Sequence, residues 1–229
     1  MSRTVTLALI VTTSFGLFEV AAAANGGAVS AGPSASSSAE RTPEDIARDI
    51  YNNGIDHRDK AKKLEEQAAK QQPKDRDKTL VKAQDEFTKA LKDFQKAVAT
   101  SPTFYQAYNG MGYAYRKTGD YTNALKNYDQ ALKLSPGFPD AMEYRGEAYL
   151  GLNRVDDAKQ AYMALFATDR KQADALLKAM GDWVAAHQTN AGGVDPTLVG
   201  ALDTWVKDRA KIASTTVAMA LSGNRSIWK

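Results

Sequence analysis

Small and apolar residues recur at alternating steps of three and four along two stretches between positions 50 and 97. The first run is Ile50, Gly54, His57, Ala61, Leu64, Ala68, and the second is Leu80, Ala83, Phe87, Ala90, Phe94, Ala97. This spacing keeps the residues on one edge of an α-helix. Gln71-Gln72-Pro73 separates the runs, and proline cannot continue a helix interior. The pattern predicts an antiparallel helical hairpin in which Ala61 faces Phe87 and small side chains lie opposite large ones.

A second pattern repeats at a fixed interval farther along the chain. The matched pairs are Gly112 and Gly146, Ala114 and Ala148, Tyr115 and Tyr149, Ala124 and Ala158, Tyr128 and Tyr162. Gly119-Asp120 and Ser135-Pro136-Gly137 mark turns between helices. The period is about 34 residues, and a fixed period of this length predicts stacked helix pairs that share one continuous core.

Two further helices are predicted after this repeat. The first spans about residues 172–188 and is broken at residues 190–193, and the second begins at Asp195-Pro196, a favourable helix start. Trp183 and Trp205 lie on their apolar sides. We interpret both rings as core, because tryptophan carries a large apolar surface that helix packing can bury.

Residues 105–138 resemble a tetratricopeptide repeat (TPR) closely, residues 139–172 resemble it well, and residues 43–104 resemble it in part. The matching positions of the first of these segments are Tyr108, Met111, Gly112, Ala114, Tyr115, Gly119, Tyr121, Ala124, Tyr128, Ala131, Leu132 and Pro136. The resemblance implies an all-α fold, a TPR helical-hairpin array (a right-handed α-solenoid) with an elongated first hairpin and C-terminal capping helices.

The resemblance also implies a domain organisation. The array covers residues 42–172, and the cap covers residues 173–229. Within the array, the stretched first repeat is 42–104, with both helices about three turns too long, and two ordinary repeats follow at 105–138 and 139–172. The alternative is a free-standing pair of coils before a two-repeat domain.

The N-terminal residues have the pattern of an export signal. Arg3 is followed by a largely apolar stretch to Phe18, and Ala22-Ala23-Ala24 suits a cleavage site. We predict a signal peptide at 1–24, a disordered linker rich in Gly, Ala and Ser at 25–41, and a periplasmic or extracellular location. The alternative is an uncleaved anchor, although the apolar stretch is shorter than the ~20 residues that span a bilayer.

In TPR proteins the first helix of each repeat lines a concave groove, at positions between the core ones. Carried over to this chain, the resemblance implies a partner-binding groove formed by Gln106, Asn109, Tyr113, Arg116, Lys117, Asp140, Glu143, Tyr144 and Glu147. The groove would be basic at one end and acidic at the other, with two tyrosines between. The alternative interpretation is that these are ordinary exposed side chains. Gly110 and Tyr144 replace the polar residues of the family's carboxylate clamp, so that ligand is not expected.

The composition and the absence of known motifs limit the kinds of partner and site that this chain is expected to have. The net charge is +3 and there is no cysteine, which argues against a nucleic-acid partner and excludes disulfides and thiolate metal sites. His57 and His187 lie in distant segments, and no catalytic or nucleotide-binding motif is present. We therefore predict an exported, non-enzymatic scaffold that holds a protein or peptide, without metal or cofactor and without a membrane span after cleavage. The alternative is a self-associating spacer of an envelope assembly that docks through the long hairpin.

Overall fold

The computed structural model describes residues 41–189 and 193–223, with side chains described as far as Thr215. The predicted signal peptide and the linker before Arg41 lie outside the described residues, as does most of the predicted break at 190–193. The described residues form eight helices: α1 (Pro43–Ala68), α2 (Pro73–Thr100), α3 (Tyr105–Lys117), α4 (Tyr121–Leu134), α5 (Pro139–Gly151), α6 (Val155–Thr168), α7 (Arg170–Gln188) and α8 (Pro196–Gly223).

The helices pair into four consecutive hairpins. Each helix packs on the next in the chain, and the first helices α1, α3, α5 and α7 also contact one another in that order. Successive second helices have at most sparse contacts among the described residues, so the first helices form the inner layer. This arrangement confirms the predicted all-α hairpin array. None of the helices in the described residues combines the length and apolar content needed to cross a bilayer.

The first hairpin is about twice as long as the next two. Helices α1 and α2 have 26 and 28 residues, whereas α3 and α4 have 13 and 14. A capping box fixes the start of α1: the backbone N–H of Asp45 donates to the Thr42 hydroxyl, and the Asp45 carboxylate accepts from the Thr42 N–H. Proline occupies the first position of α2, where its missing N–H has no cost.

The extra length of the hairpin lies mainly beyond the C-terminal end of α3. At the start of α3 the first hairpin remains in contact with it: the rings of Tyr51 and Phe104 have centroids 5.0 Å apart, and Glu44 and Arg48 line one cleft with Gln106. At the other end α3 reaches Glu65 and Gln84 through Lys117, at 2.8 and 3.2 Å. The free arm is therefore residues 66–83, which comprise less than one turn of α1 and about three turns of α2. We call this segment the arm.

The predicted seam is confirmed except at Leu80. Ala61 and Phe87 are fully buried in one cluster, as expected, and Ala83, Ala90, Phe94 and Ala97 are buried along α2. Leu80 is 38% exposed, and Thr79 is buried in its place. Helical geometry places the two residues on opposite sides of Ala83: Thr79 lies about 40° to one side and Leu80 about 60° to the other, and the side of Thr79 is the buried one.

Glycines permit close helix crossings at three levels. A Cβ at Gly54 or Gly110 would lie 2.6 or 2.9 Å from the buried Phe94 ring, so α1, α2 and α3 meet around that side chain. The first hairpin is therefore packed directly against α3. Gly112 and Gly146 are each the eighth residue of their helix, which confirms the predicted equivalence. Their neighbours differ, since Gly112 abuts Tyr128 and Gly146 abuts Leu176 of α7.

The last hairpin closes the end of the array. Helix α7 packs on both α5 and α6, and it buries Leu176 and Met180 together with Leu202 of α8. Asp195 caps α8 by accepting a 2.8 Å hydrogen bond from the Thr197 N–H. The edge of Trp205 meets Tyr162 at 5.2 Å between centroids, as expected of a core ring. The predicted C-terminal cap is therefore a fourth hairpin that continues the stacking.

Candidate functional site

The nine predicted groove residues all lie on α3 and α5, the two central helices of the inner layer. Their centre is an aromatic pair: the rings of Tyr113 and Tyr144 meet edge to face with centroids 5.2 Å apart. The Arg116 guanidinium lies 5.1 Å from the first ring and 5.2 Å from the second. A cation held over two ring faces is stabilised by their quadrupoles.

Arg116 is also held by an ion pair with Glu147. The guanidinium Nη1 donates to the carboxylate of Glu147, and only 12% of the arginine side chain is exposed. Because an unpaired charge is costly in a buried position, each residue holds the side chain of the other in place, and the pair links α3 to α5. Arg116 thus joins the two helices and presents little of its charge to solvent.

Two predicted groove residues are buried, contrary to the expectation that they line an open surface. Tyr113 is 9% exposed and packs against Phe87, while Glu143 is 4% exposed. Burial, together with the hydrogen bond and charge of the neighbouring Glu147 carboxyl, raises the pKa of Glu143 above its ordinary value. The physical reason is the close packing of neighbouring first helices, which covers positions that would be open on an isolated repeat.

The predicted separation into a basic and an acidic end is also not observed. The Lys117 ammonium pairs with Glu65 of α1 at 2.8 Å, and Arg116 pairs with Glu147. Asp140 accepts a hydrogen bond from the Gln172 side chain of α7. Each successive pair of first helices is therefore joined by one polar link, and the charges of the inner layer are largely matched in pairs.

The remaining two predicted residues lie away from the aromatic centre or partly inside the fold. Gln106 lines a separate cleft of about 240 Å³ at the start of α3, beside Glu44 and Arg48 of α1. Asn109 is half-buried, and its Oδ1 atom is buried. The nine residues consequently do not form one continuous strip.

A cavity of about 300 Å³ opens where α3 and α5 end and α7 passes beside them. Its lining is Arg116, Lys117, Tyr121, Glu147, Leu150, Gly151, Ala179 and Trp183. The indole of Trp183 stacks on the His187 ring with centroids 4.1 Å apart, and His187 Nδ1 lies 2.7 Å from the Trp183 carbonyl oxygen. This cavity brings Arg116 and Lys117, the two basic residues of the predicted groove, together with the Trp183 ring of the fourth hairpin.

Sequence reasoning missed Trp183 as part of this site, because its ring was interpreted as core. It packs partly on the terminal core and partly lines the cavity. The repeat interval from the start of α5 at Pro139 predicts that the next first helix begins at Ala173, but α7 begins three residues earlier, at Arg170. The interval therefore does not give the groove positions of α7, and Trp183 could not be found from it.

The chemistry that this arrangement supports is polar and aromatic contact. No cluster of three or more His, Asp or Glu side chains placed to hold a metal ion occurs between residues 41–189 or 193–215. A surface of Trp, Tyr and Arg with paired charges at its rim is typical of protein interfaces.

Comparisons with known proteins agree with the repeat interpretation. A family model described as "TPR repeat" matches residues 112–153, and one described as "Tetratricopeptide repeat" matches residues 93–126. No curated protein matches the chain.

Several solved structures are similar to parts of this chain. The second TPR domain of human RPAP3, solved in complex with the HSP70 peptide SGPTIEEVD, is 19% identical, with a TM-score of 0.41 over 56% of this chain and 95% of its own. MamA is 20% identical, with a TM-score of 0.37 over 58% of this chain and 71% of its own. The Sgt2 TPR domain from Aspergillus fumigatus is 18% identical, with a TM-score of 0.35 over 68% of this chain and 82% of its own. On the evidence of the two family models, this chain contains tetratricopeptide repeats within residues 93–153.

Proposed function

We propose that this protein is an exported, non-enzymatic binding module that holds a segment of a protein partner in the cavity between α3, α5 and α7. The observation that carries the proposal is the cavity of about 300 Å³ beside Trp183, whose lining combines Arg116 and Lys117 with apolar side chains. Tetratricopeptide repeats generally act as protein-interaction scaffolds, and their stacking leaves an extended surface for binding.

The lining of the cavity suits a peptide. The Trp183 ring offers a rigid apolar face, and Leu150 and Ala179 extend that face around the cavity. Lys117 and Glu147, each with 25% of the side chain exposed, place a donor and an acceptor at the rim. A rigid aromatic centre surrounded by hydrogen-bonding groups is the usual composition of an energetically dominant contact at protein interfaces.

Site-specific photocrosslinking in the native host tests this surface. We expect a photoreactive residue at position 117 or 179 to form adducts with a partner, because both positions line the cavity. Matched probes at Lys126 of α4 and Ala164 of α6, which are exposed on second helices, are expected not to form these adducts. Adducts are identified by mass spectrometry, and the same products from all four positions would contradict a site on the inner layer.

Export is the second part of the proposal, and it rests on the N-terminal sequence pattern. We expect the protein to be recovered outside the cytoplasm with Asn25 as its first residue, because signal peptidase cleaves after small residues in the A-x-A pattern. Cell fractionation followed by N-terminal sequencing measures this. Recovery of an intact N-terminus in the cytoplasmic fraction would reject export and leave the binding proposal standing.

Self-association through the arm is a second candidate function. Phe87 is fully buried, so it contributes nothing to an outer contact, but Leu80 and Val81 are 38% and 62% exposed. Two neighbouring aliphatic side chains in solvent on a projecting segment favour this candidate over a purely solvated arm.

A further inference from the structure

The arm is basic. Residues 66–83 contain five Lys or Arg, two Asp and one Glu, a net charge of +2, compared with +3 for all 229 residues.

An aliphatic side chain lies within this basic region. Lys74, Lys78, Val81 and Lys82 are exposed and follow the spacing i, i+4, i+7, i+8 on α2, so they share its outward face. Val81 is the most exposed large hydrophobic side chain among the described residues. None of these three lysines forms an ion pair in the part of the chain that the structure describes. We call these four residues the basic ridge.

The other end of the array carries an apolar groove. It lies between α7 and α8, has a volume of about 500 Å³, and is lined by Asp174, Leu177, Lys178, Gly181, Asp182, Val206, Ala210 and Ala213. Its floor is made of small or aliphatic side chains, and a Cβ added at Gly181 would have Val206 Cγ1 as its nearest neighbour, at 3.9 Å. A groove of this shape accommodates a ridge of side chains from another helix.

One carboxylate on the rim of this terminal groove is unpaired. Asp174 is exposed on α7 and forms no ion pair among the described residues, whereas Asp182, the other lining carboxylate, pairs with Lys178 at 2.6 Å. An unpaired carboxylate beside an apolar floor complements the unpaired lysines of the basic ridge.

We infer that the basic ridge of one copy docks in the terminal groove of a second copy, with Val81 on the apolar floor and Lys78 facing the carboxylate of Asp174. This inference rests on the second candidate function, self-association through the arm, and adds the surface that receives it. The first hairpin packs only towards α3 and the last hairpin only towards α5 and α6, so the two surfaces lie at opposite ends of the array. Docking is therefore head to tail, a contact that generates open chains rather than closed dimers.

Charge reversal provides the sharpest test. Lys78→Glu alone and Asp174→Lys alone are each expected to weaken self-association of the full chain about tenfold, because each places like charges opposite one another. The double variant Lys78→Glu/Asp174→Lys is expected to regain association, since the reversed ridge of each copy then meets the reversed rim of the next. Sedimentation velocity over a concentration series measures all four samples. Lys92→Glu, on the same outward face of α2 but outside the arm, is the matched control and is expected to associate like the unaltered protein.

A second variant tests the groove by volume. Gly181→Leu is expected to fill the floor and reduce association by about tenfold while leaving the fold intact, because its Cβ meets no close neighbour. Association that is lost in Lys78→Glu but kept in both Asp174→Lys and Gly181→Leu would overturn the terminal groove as the acceptor, while self-association through the arm would stand. A monomeric unaltered protein, or association insensitive to Lys78→Glu, would overturn both.

Discussion

Replacement of Phe94 by alanine is expected to lower the free energy of unfolding by about 4 kcal/mol, within the range measured for buried phenylalanines. The ring is fully buried and fills the space left by two glycines, Gly54 of α1 and Gly110 of α3. Its removal opens a cavity where three helices meet, and the glycines on either side have no side chains that could fill it. Urea denaturation of the full chain, followed by circular dichroism, measures the change.

A double-mutant cycle separates this packing from a general loss of hydrophobicity. Gly110→Ala in the unaltered protein places a Cβ 2.9 Å from the ring and is expected to cost about 1–3 kcal/mol. In the Phe94→Ala background the same change is expected to be stabilising, since the clash is gone and alanine favours the helix by up to ~1 kcal/mol. Gly181→Ala, with 3.9 Å of clearance, is the control for helix propensity alone. Equal effects of Gly110→Ala in both backgrounds would refute the close approach around Phe94.

Glu86→Gln is expected to have the second-largest effect, a loss of about 2 kcal/mol at pH 7 after discounting for the solvent exposure of its cationic partners. Glu86 is 5% exposed inside the first hairpin. Its carboxylate accepts from Lys60 at 2.9 Å and Lys89 at 2.8 Å, and it lies 2.7 Å from His57 Nδ1. The neutral amide keeps the volume but loses the charge that these groups surround.

The same carboxylate makes stability depend on pH in a defined direction. Burial alone would raise the pKa of Glu86, but the hydrogen bonds from Lys60, Lys89 and His57 lower it from 4.5 to about 2. Because the folded-state pKa is below the unfolded value, the stabilisation is complete above about pH 4.5 and is lost as the pH falls towards 2. Urea denaturation between pH 7 and 3 is expected to show a shallower decline for Glu86→Gln than for the unaltered protein.

An exposed carboxylate on the same hairpin provides the control for this pH experiment. Glu66→Gln is expected to leave the free energy of unfolding within about 0.5 kcal/mol of the unaltered protein at every pH, as is usual for surface substitutions. If Glu66→Gln and Glu86→Gln flattened the pH dependence equally, the buried network would not be its source.

Local patterns were sufficient to predict most of the fold. The alternation of small and aromatic residues located the long hairpin, since helix faces depend only on spacing within one segment. The repeat interval that relates Gly112 to Gly146 predicted two further hairpins. Tyr128 and Tyr162, which are related by the same interval, are both fully buried. Leu80 was misplaced because steps of three and of four residues before Ala83 both satisfy the pattern, and only the packing of the two helices decides that Thr79 is buried.

The candidate site was less predictable, because it depends on contacts between distant residues. The spacing of residues within one repeat indicates that Tyr113 and Glu143 point away from their own hairpin. It does not indicate how closely a neighbouring hairpin covers these two side chains. The partner of Lys117 is Glu65, which lies on α1 in the preceding hairpin, and no local spacing relates the two. Trp183 joins the cavity only because α7 packs on α5 in a register shorter than the repeat.

The polar links between first helices have a mechanical consequence. Glu65 with Lys117, Arg116 with Glu147, and Asp140 with Gln172 lie in series along the inner layer, one at each junction. Separating two neighbouring first helices therefore breaks one of these links at that junction. Salt is expected to weaken the Lys117–Glu65 link more than the Arg116–Glu147 link, because the first pair is more exposed.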